Sequence, residues 1–181
     1  MRNKTKQKFS DDHTRLVEEK VLENYTKQSP SKLPLEDEEY RSKHFEKRRK
    51  LFTDSLKLPT RLFADATVLD FGCGTGEQSL CYAQWGAMMS LVDINPISIK
   101  QTQDYFASFG LKDRILEMQT KSVFDFSTDH KFDFVISEGV LHHTQDPKRG
   151  FDRMINHVKP GGFVVLQLAF DTAHFQRSLH R

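Results

Sequence analysis

A doubly wound α/β fold, with a mostly parallel sheet and helices on both faces, is what this sequence predicts. Three observations carry that reading. Five short apolar runs rich in β-formers recur over residues 62–169, mostly separated by segments of helical spacing. The first run, Val68-Leu69-Asp70-Phe71, passes directly into glycines at alternate positions, Gly72, Gly74 and Gly76. The second run ends at Asp93, which lies 21 positions after Gly72. Strand, glycine loop, helix and a second strand ending in an acid make the ligand-binding half of such a fold, with the ligand at the strands' carboxyl ends.

The elements follow in order. Residues 1–10 are polar and basic and are expected to fray. Asp11 to Lys27 reads as a helix, capped by Asp11 or Asp12, with Leu16, Val17, Val21 and Tyr25 on one face. Ser29-Pro-Ser-Lys-Leu-Pro34 reads as a linker. Glu36 to Lys57 reads as a second helix whose acidic first turn suits the positive end of the helix dipole. Its apolar side is marked by Tyr40, His44, Phe45, Leu51, Phe52 and Leu56. Together these segments predict an N-terminal helical extension over 1–61, placed before a ligand-binding domain over 62–181.

Within that domain, Glu77 to Trp85 is a helix and Met88 to Val92 the second strand. Pro96, at a favoured first position, opens a helix that runs to Phe109 and stops at Gly110. Ile115 to Gln119 is the third strand and Phe132 to Glu138 the fourth. Pro147 opens another helix, with Asp146 as its cap and Phe151, Met154, Ile155 and Val158 on its apolar side. Lys159-Pro-Gly-Gly162 is a turn signal ahead of a fifth apolar strand, Phe163 to Ala169. Right-handed crossovers order the strands 3-2-1-4-5. Asp171 to Arg181 could begin a further helix.

The chemistry of the glycine loop narrows the ligand. The dinucleotide fingerprint G-x-G-x-x-G would place its third glycine at Glu77, and no Gly-Lys-Ser/Thr follows. A pyrophosphate favours a helix N-terminus free of negative charge, whereas Asp70 and Glu77 flank this loop. Acidic groups suit instead a ligand with an ammonium and a second positive centre. S-adenosylmethionine (SAM) carries both, in its methionine amine and its sulfonium. On these residues the sequence resembles the class I, Rossmann-like, SAM-dependent methyltransferases, whose first motif looks like Val68 to Gly76.

What the resemblance implies is specific. Asp70, Gly72, Cys73, Gly74 and Gly76 belong to the cofactor-binding loop. Asp93 meets the ribose, and the next side chain, in Ile94-Asn95, lines one face of the adenine. The adenine edge is commonly met by an acidic residue followed by a small apolar one. Ser122-Val123 is the best match and departs from that pattern, with Asp125 as the alternative acid. Glu138 and the following Gly139-Val-Leu-His-His-Thr-Gln-Asp-Pro147 match the stretch that meets SAM's methionyl part and the substrate. N-terminal helices in such proteins pack beside the cofactor pocket and partly cover it. The family's sixth and seventh strands are not encoded here, so strand five is expected to present an open edge. That edge predicts lower solubility or self-association.

Function follows as an expectation: methyl transfer by in-line displacement to a small-molecule or lipid-like acceptor. A general base is required only for an acceptor that is protonated at working pH, and His142 and His143 are the candidates. The alternative is a non-catalytic SAM-binding module with a regulatory or interaction role. A nicotinamide dehydrogenase ranks behind both. The amide- and adenine-methylase signature Asn-Pro-Pro-Tyr is replaced by Ser137-Glu-Gly-Val140.

Composition closes other routes. No apolar run approaches a membrane span, and Met1-Arg-Asn-Lys has no signal-peptide core. Two cysteines, Cys73 and Cys81, make no disulfide framework and read as buried side chains of a cytoplasmic protein. No metal site is expected. Residues 1–61 carry 16 Lys/Arg against 11 Asp/Glu, so a net +5 precedes a net −3. That basic segment, including Lys43 to Lys50, reads as a solvated helical face rather than a nucleic-acid surface.

Overall fold

The computed structural model describes residues 15–26, 34 and 37–169. The expectations for the frayed N-terminus, the proline linker and the C-terminal tail lie outside the described residues. Five strands form one sheet in the order β3-β2-β1-β4-β5. They are β1 Thr67–Phe71, β2 Met88–Asp93, β3 Ile115–Thr120, β4 Phe132–Glu138 and β5 Val158–Gln167. Every pairing is parallel.

Alternation along the strands builds two cores, one on each face. Val68, Leu91 and Ile136 point to one side, where Phe52, Phe63, Leu80 and Phe106 meet them. Leu69, Phe71, Val92 and Val135 point to the other, against Phe126, Leu141 and Met154. Helices α3 (Glu77–Gln84) and α4 (Pro96–Ser108) supply the first face, and α5 (Pro147–Ile155) the second. Asn95 caps α4 through Ile97 N at 2.9 Å, and Asp146 caps α5 through Arg149 N at 2.9 Å.

The N-terminal helices join this unit. Residues 15–26 form α1. Helix α2 (Glu38–Lys50) is capped by Asp37 and continues as a π-turn over Leu51–Ser55. Its inward stripe is Phe45, Arg48 and Phe52, whereas Tyr40, Leu51 and Leu56, expected on the apolar side, are exposed. Phe52 sets that register by entering an aromatic cluster with Phe63, Tyr82 and Trp85, at ring separations of 5.3–5.5 Å. The basic run is solvated as expected: Lys43 pairs with Glu39, and Arg49 and Lys50 with Glu46. Arg48 is the exception, being buried.

The start of β5 differs from the sequence reading. Lys159 to Gly162 does not precede β5 but lies inside it, as an irregularity where Phe132 faces Val158 while Phe134 faces Phe163. Lys159 Nζ holds both oxygens of Asp133 at 2.9 Å, and a Cβ on Gly162 would stand 2.7 Å from Asp133 O. The segment between β3 and β4 carries no helix; it buries Val123, Phe124 and Phe126 against the sheet instead. Among the described residues, β5 has only β4 as a neighbour, and no helix is long and apolar enough to cross a membrane.

Candidate functional site

Strand order reverses at β1, whose neighbours are β2 and β4, and a crevice opens there at the carboxyl ends. It holds a cavity of about 240 Å³. Gly72, Gly74 and Thr75 come from the loop after β1, and Asp93, Ile94 and Asn95 from the end of β2. Ser122 and Val123 follow β3; Glu138, Gly139, Val140, His143 and Thr144 follow β4. Helix α1 lies over it with Glu18, Val21, Leu22 and Tyr25.

The glycine loop is fixed by backbone bonds to β2. The N–H groups of Gly72 and Cys73 both donate to Val92 O, at 2.7 and 3.0 Å. Gly74 N donates to Asp93 Oδ2 at 2.9 Å, and Asn95 N donates to Asp93 Oδ1 at 2.8 Å. Asp93 therefore sits in the cavity wall with each oxygen held by one backbone donor and lone pairs left over. Burial raises its pKa, against those two hydrogen bonds.

The three glycines have different duties. A Cβ on Gly72 would stand 2.4 Å from Val140, and one on Gly76 would stand 2.6 Å from Thr102. A Cβ on Gly74 would meet nothing within 4 Å, because that position faces the cavity. All three have positive φ.

Four expected site residues lie outside the lining: Asp70, Cys73, Gly76 and His142. Gly76 is the N-cap position of α3. Cys73 is buried, and burial raises its thiol pKa well above the ordinary value. Asp70 is enclosed beneath the loop and accepts from Ser79 Oγ of α3. Burial lifts its pKa to about 7. Glu77 is also buried, with Thr75 Oγ1 donating to its carboxylate. These two acids, which the sequence argument set facing the ligand, are thus turned into the protein. The acidity of the cavity comes from Asp93, Glu138 and Glu18 instead.

Glu138 lines the cavity and is held from behind. Arg48 Nη2 and Tyr82 OH both donate to its Oε2, the latter at 3.0 Å. Arg48 also donates to Tyr82 OH and lies 5.2 Å over the rings of Phe52 and Tyr82. On the far side of the cavity Ser122 Oγ donates to Glu18 and accepts from Phe124 N at 3.0 Å. Of the two histidines only His143 lines the cavity, with Tyr25 edge-on at 6.1 Å. His142 packs behind it, ring to ring at 4.0 Å, and accepts from Ala169 N at 3.4 Å. Burial and the neighbouring His143 lower the pKa of His142.

Sequence reading missed Arg48, Tyr82 and the Glu18 face of α1. The spacing of Glu18, Val21, Leu22 and Tyr25, at i, i+3, i+4 and i+7, was the available signal for the last.

The donor set fits SAM. Among the described residues the lining holds three carboxylates and neither Lys nor Arg, which suits a cationic ligand and leaves a phosphate without a cation. The open space at Gly74 allows close approach to the backbone. Asn95 Nδ2 is buried with no hydrogen-bond partner, a donor that a ligand acceptor would satisfy.

Comparison with known proteins agrees. The model of a family described as a methyltransferase domain matches residues 40–181. The mitochondrial ubiquinone biosynthesis O-methyltransferase of Schizosaccharomyces pombe is 31% identical over 104 residues, covering 58% of this chain and 38% of the relative. The cypemycin N-terminal methyltransferase of a Streptomyces species is 34% identical over 116 residues, covering 62% and 45%. Among solved structures, the N-methyltransferase NodS of Bradyrhizobium japonicum, in complex with S-adenosylhomocysteine, shares the fold. Its TM-score is 0.61 at 20% identity, over 80% of this chain and 70% of NodS. The chain spans less than half the length of the two curated relatives. With the family model covering most of its length, this chain belongs to the methyltransferase-domain family of class I, Rossmann-like proteins.

Proposed function

We propose that the chain binds SAM in the cavity at the head of β1 and catalyses transfer of its methyl group to a small-molecule or lipid-like acceptor. The observation that carries this reading is the lining itself, with Asp93, Glu138 and Glu18 and no Lys or Arg among the described residues. When bound, SAM supplies a methyl carbon activated by a sulfonium.

The chain's own residues bind and orient. The lone pairs of Asp93 left by Gly74 N and Asn95 N accept from the ribose hydroxyls. Gly74 lets the cofactor lie on the backbone. Glu138, with both protein contacts on Oε2, offers Oε1 to the methionine ammonium. Ile94 covers one face of the base, and Ser122 and Val123 flank its edge. His143, rather than His142, takes a proton from an acceptor in this reading, supported by its place in the cavity lining. Helix α1 over the opening excludes water from the reacting groups. Residues 1–61 thus act as the cap and 62–181 as the binding unit.

The same reading has the protein working in the cytoplasm, supported by two buried free thiols. It includes self-association through the side of β5 that has no neighbouring strand among the described residues. The test of catalysis is transfer of a labelled methyl group from SAM to fractions of a cell extract. Incorporation that falls at least tenfold in His143→Ala is the expected result. SAM binding with no incorporation in any fraction would favour the non-catalytic module, which the comparisons do not support.

A further inference from the structure

We infer that Glu18 of α1 is the residue that reads the base of the nucleoside, accepting a hydrogen bond from its exocyclic amine. This rests on the proposal that the cavity binds SAM. The sheet order supplies the direction. Glu138 follows β4, the glycine loop follows β1, Asp93 ends β2 and Ser122 follows β3, and these strands are consecutive neighbours in the sheet. A ligand with its ribose at Asp93 and its charged amino-acid end toward the glycine loop and Glu138 must project its base toward the end of β3. In the cavity lining Ser122 follows β3, and Glu18 is hydrogen-bonded to it.

Their bonding decides which one recognises the base. The Ser122 hydroxyl is used twice, accepting from Phe124 N at 3.0 Å and donating its only hydrogen to Glu18. It has no proton left to give. A carboxylate offers about four acceptor sites on two oxygens, and Ser122 takes one. Glu18 is therefore an anchored acceptor with spare capacity, half-buried in the cavity wall. Adenine presents an amine donor on that edge, whereas a 6-oxo purine presents an acceptor. A 6-oxo purine keeps a donor only at N1–H, so a carboxylate set opposite the exocyclic position accepts from the first and repels the second, and selectivity for the amine follows from that placement. The contact has a structural consequence as well. Glu18 lies on the same helical face as Val21, Leu22 and Tyr25, so the nucleoside holds down the helix that covers it.

The experiment is calorimetry with S-adenosylhomocysteine and its inosyl counterpart, in which an oxo group replaces the amine. The 181-residue chain should bind the adenosyl compound about tenfold or more tightly than the inosyl one. Glu18→Gln, whose amide donates as well as accepts, and Glu18→Ala should each bring that ratio close to one. Loss of helix docking alone would weaken both ligands equally and leave the ratio unchanged. A ratio near one in the parent protein overturns the inference without recourse to any variant, as does an unchanged ratio in folded Glu18→Ala. In both cases SAM binding itself stands. A parent that binds neither compound overturns the SAM reading, and this inference with it.

Discussion

Arg48 of α2 donates to Glu138 at the end of β4, across 90 residues of sequence, with both side chains nearly closed to solvent at 8% and 10% exposure. The bond joins the N-terminal extension to the cavity wall. It also fixes the carboxylate proposed to meet the cofactor ammonium. Removing one partner from such a pair leaves a charge buried and uncompensated.

Arg48→Met should accordingly lower stability by about 3–5 kcal/mol. The double change Arg48→Met with Glu138→Gln should cost less than the two single changes together, because it leaves no unpaired charge. Urea unfolding of the four proteins measures the coupling. Strict additivity would show that the pair does not hold α2 to the sheet.

The glycines of the loop should separate stability from binding. Gly76→Ala meets Thr102 and Gly72→Ala meets Val140, both at positive φ, so each should lose about 2–4 kcal/mol. Gly74→Ala meets nothing within 4 Å and carries only the left-handed strain of its φ, about 1–2 kcal/mol. Its main effect should be on S-adenosylhomocysteine affinity, since its methyl group enters the cavity. Thermal unfolding and calorimetry on the three variants distinguish the two outcomes. Parental affinity in Gly74→Ala would remove the close-approach argument.

Asp70 makes stability depend on pH. Its folded-state pKa, raised to about 7 by burial, lies above the ordinary 3.8, so between these values the folded protein keeps a proton that the unfolded chain releases. The contribution is fully present below the lower value and is lost as pH rises through the upper one. Its size is about 2–4 kcal/mol. Asp70→Asn keeps an acceptor for Ser79 and cannot ionise. It should match the parent near pH 4 and exceed it in stability at pH 8. Unfolding curves at both pH values check this, and a constant difference between the two proteins would show that Asp70 does not titrate on unfolding.

The sheet was legible because its signals are local. Three glycines after Phe71, Pro96 behind Asn95 and Pro147 behind Asp146 each declare an element boundary through backbone geometry alone. So were Gly74 and Asp93, which motif spacing placed in one wall. The orientation of Asp70 and Glu77 was not legible. Their position beside the glycine loop is the same whether they face the ligand or Ser79 and Thr75, and only packing decides. Arg48 was hidden inside a run of like charges, most of which are solvated. Glu18 was hidden because an apolar-face count discards the one polar member of the face that closes the cavity. The Lys159 to Gly162 signal correctly marked a departure from regular strand, yet sequence could not tell a turn before β5 from an irregularity within it.

The central claim is that this cavity takes SAM, held at Asp93, and not a pyrophosphate cofactor. The most direct measurement is calorimetry of the full chain with S-adenosylhomocysteine, SAM and NAD, repeated on Asp93→Ala. The account predicts saturable binding of the first two and no response to NAD. It further predicts that Asp93→Ala loses about 1.5–3 kcal/mol of affinity, roughly tenfold to a hundredfold, while remaining folded. Clear binding of NAD with no response to SAM or S-adenosylhomocysteine would contradict it.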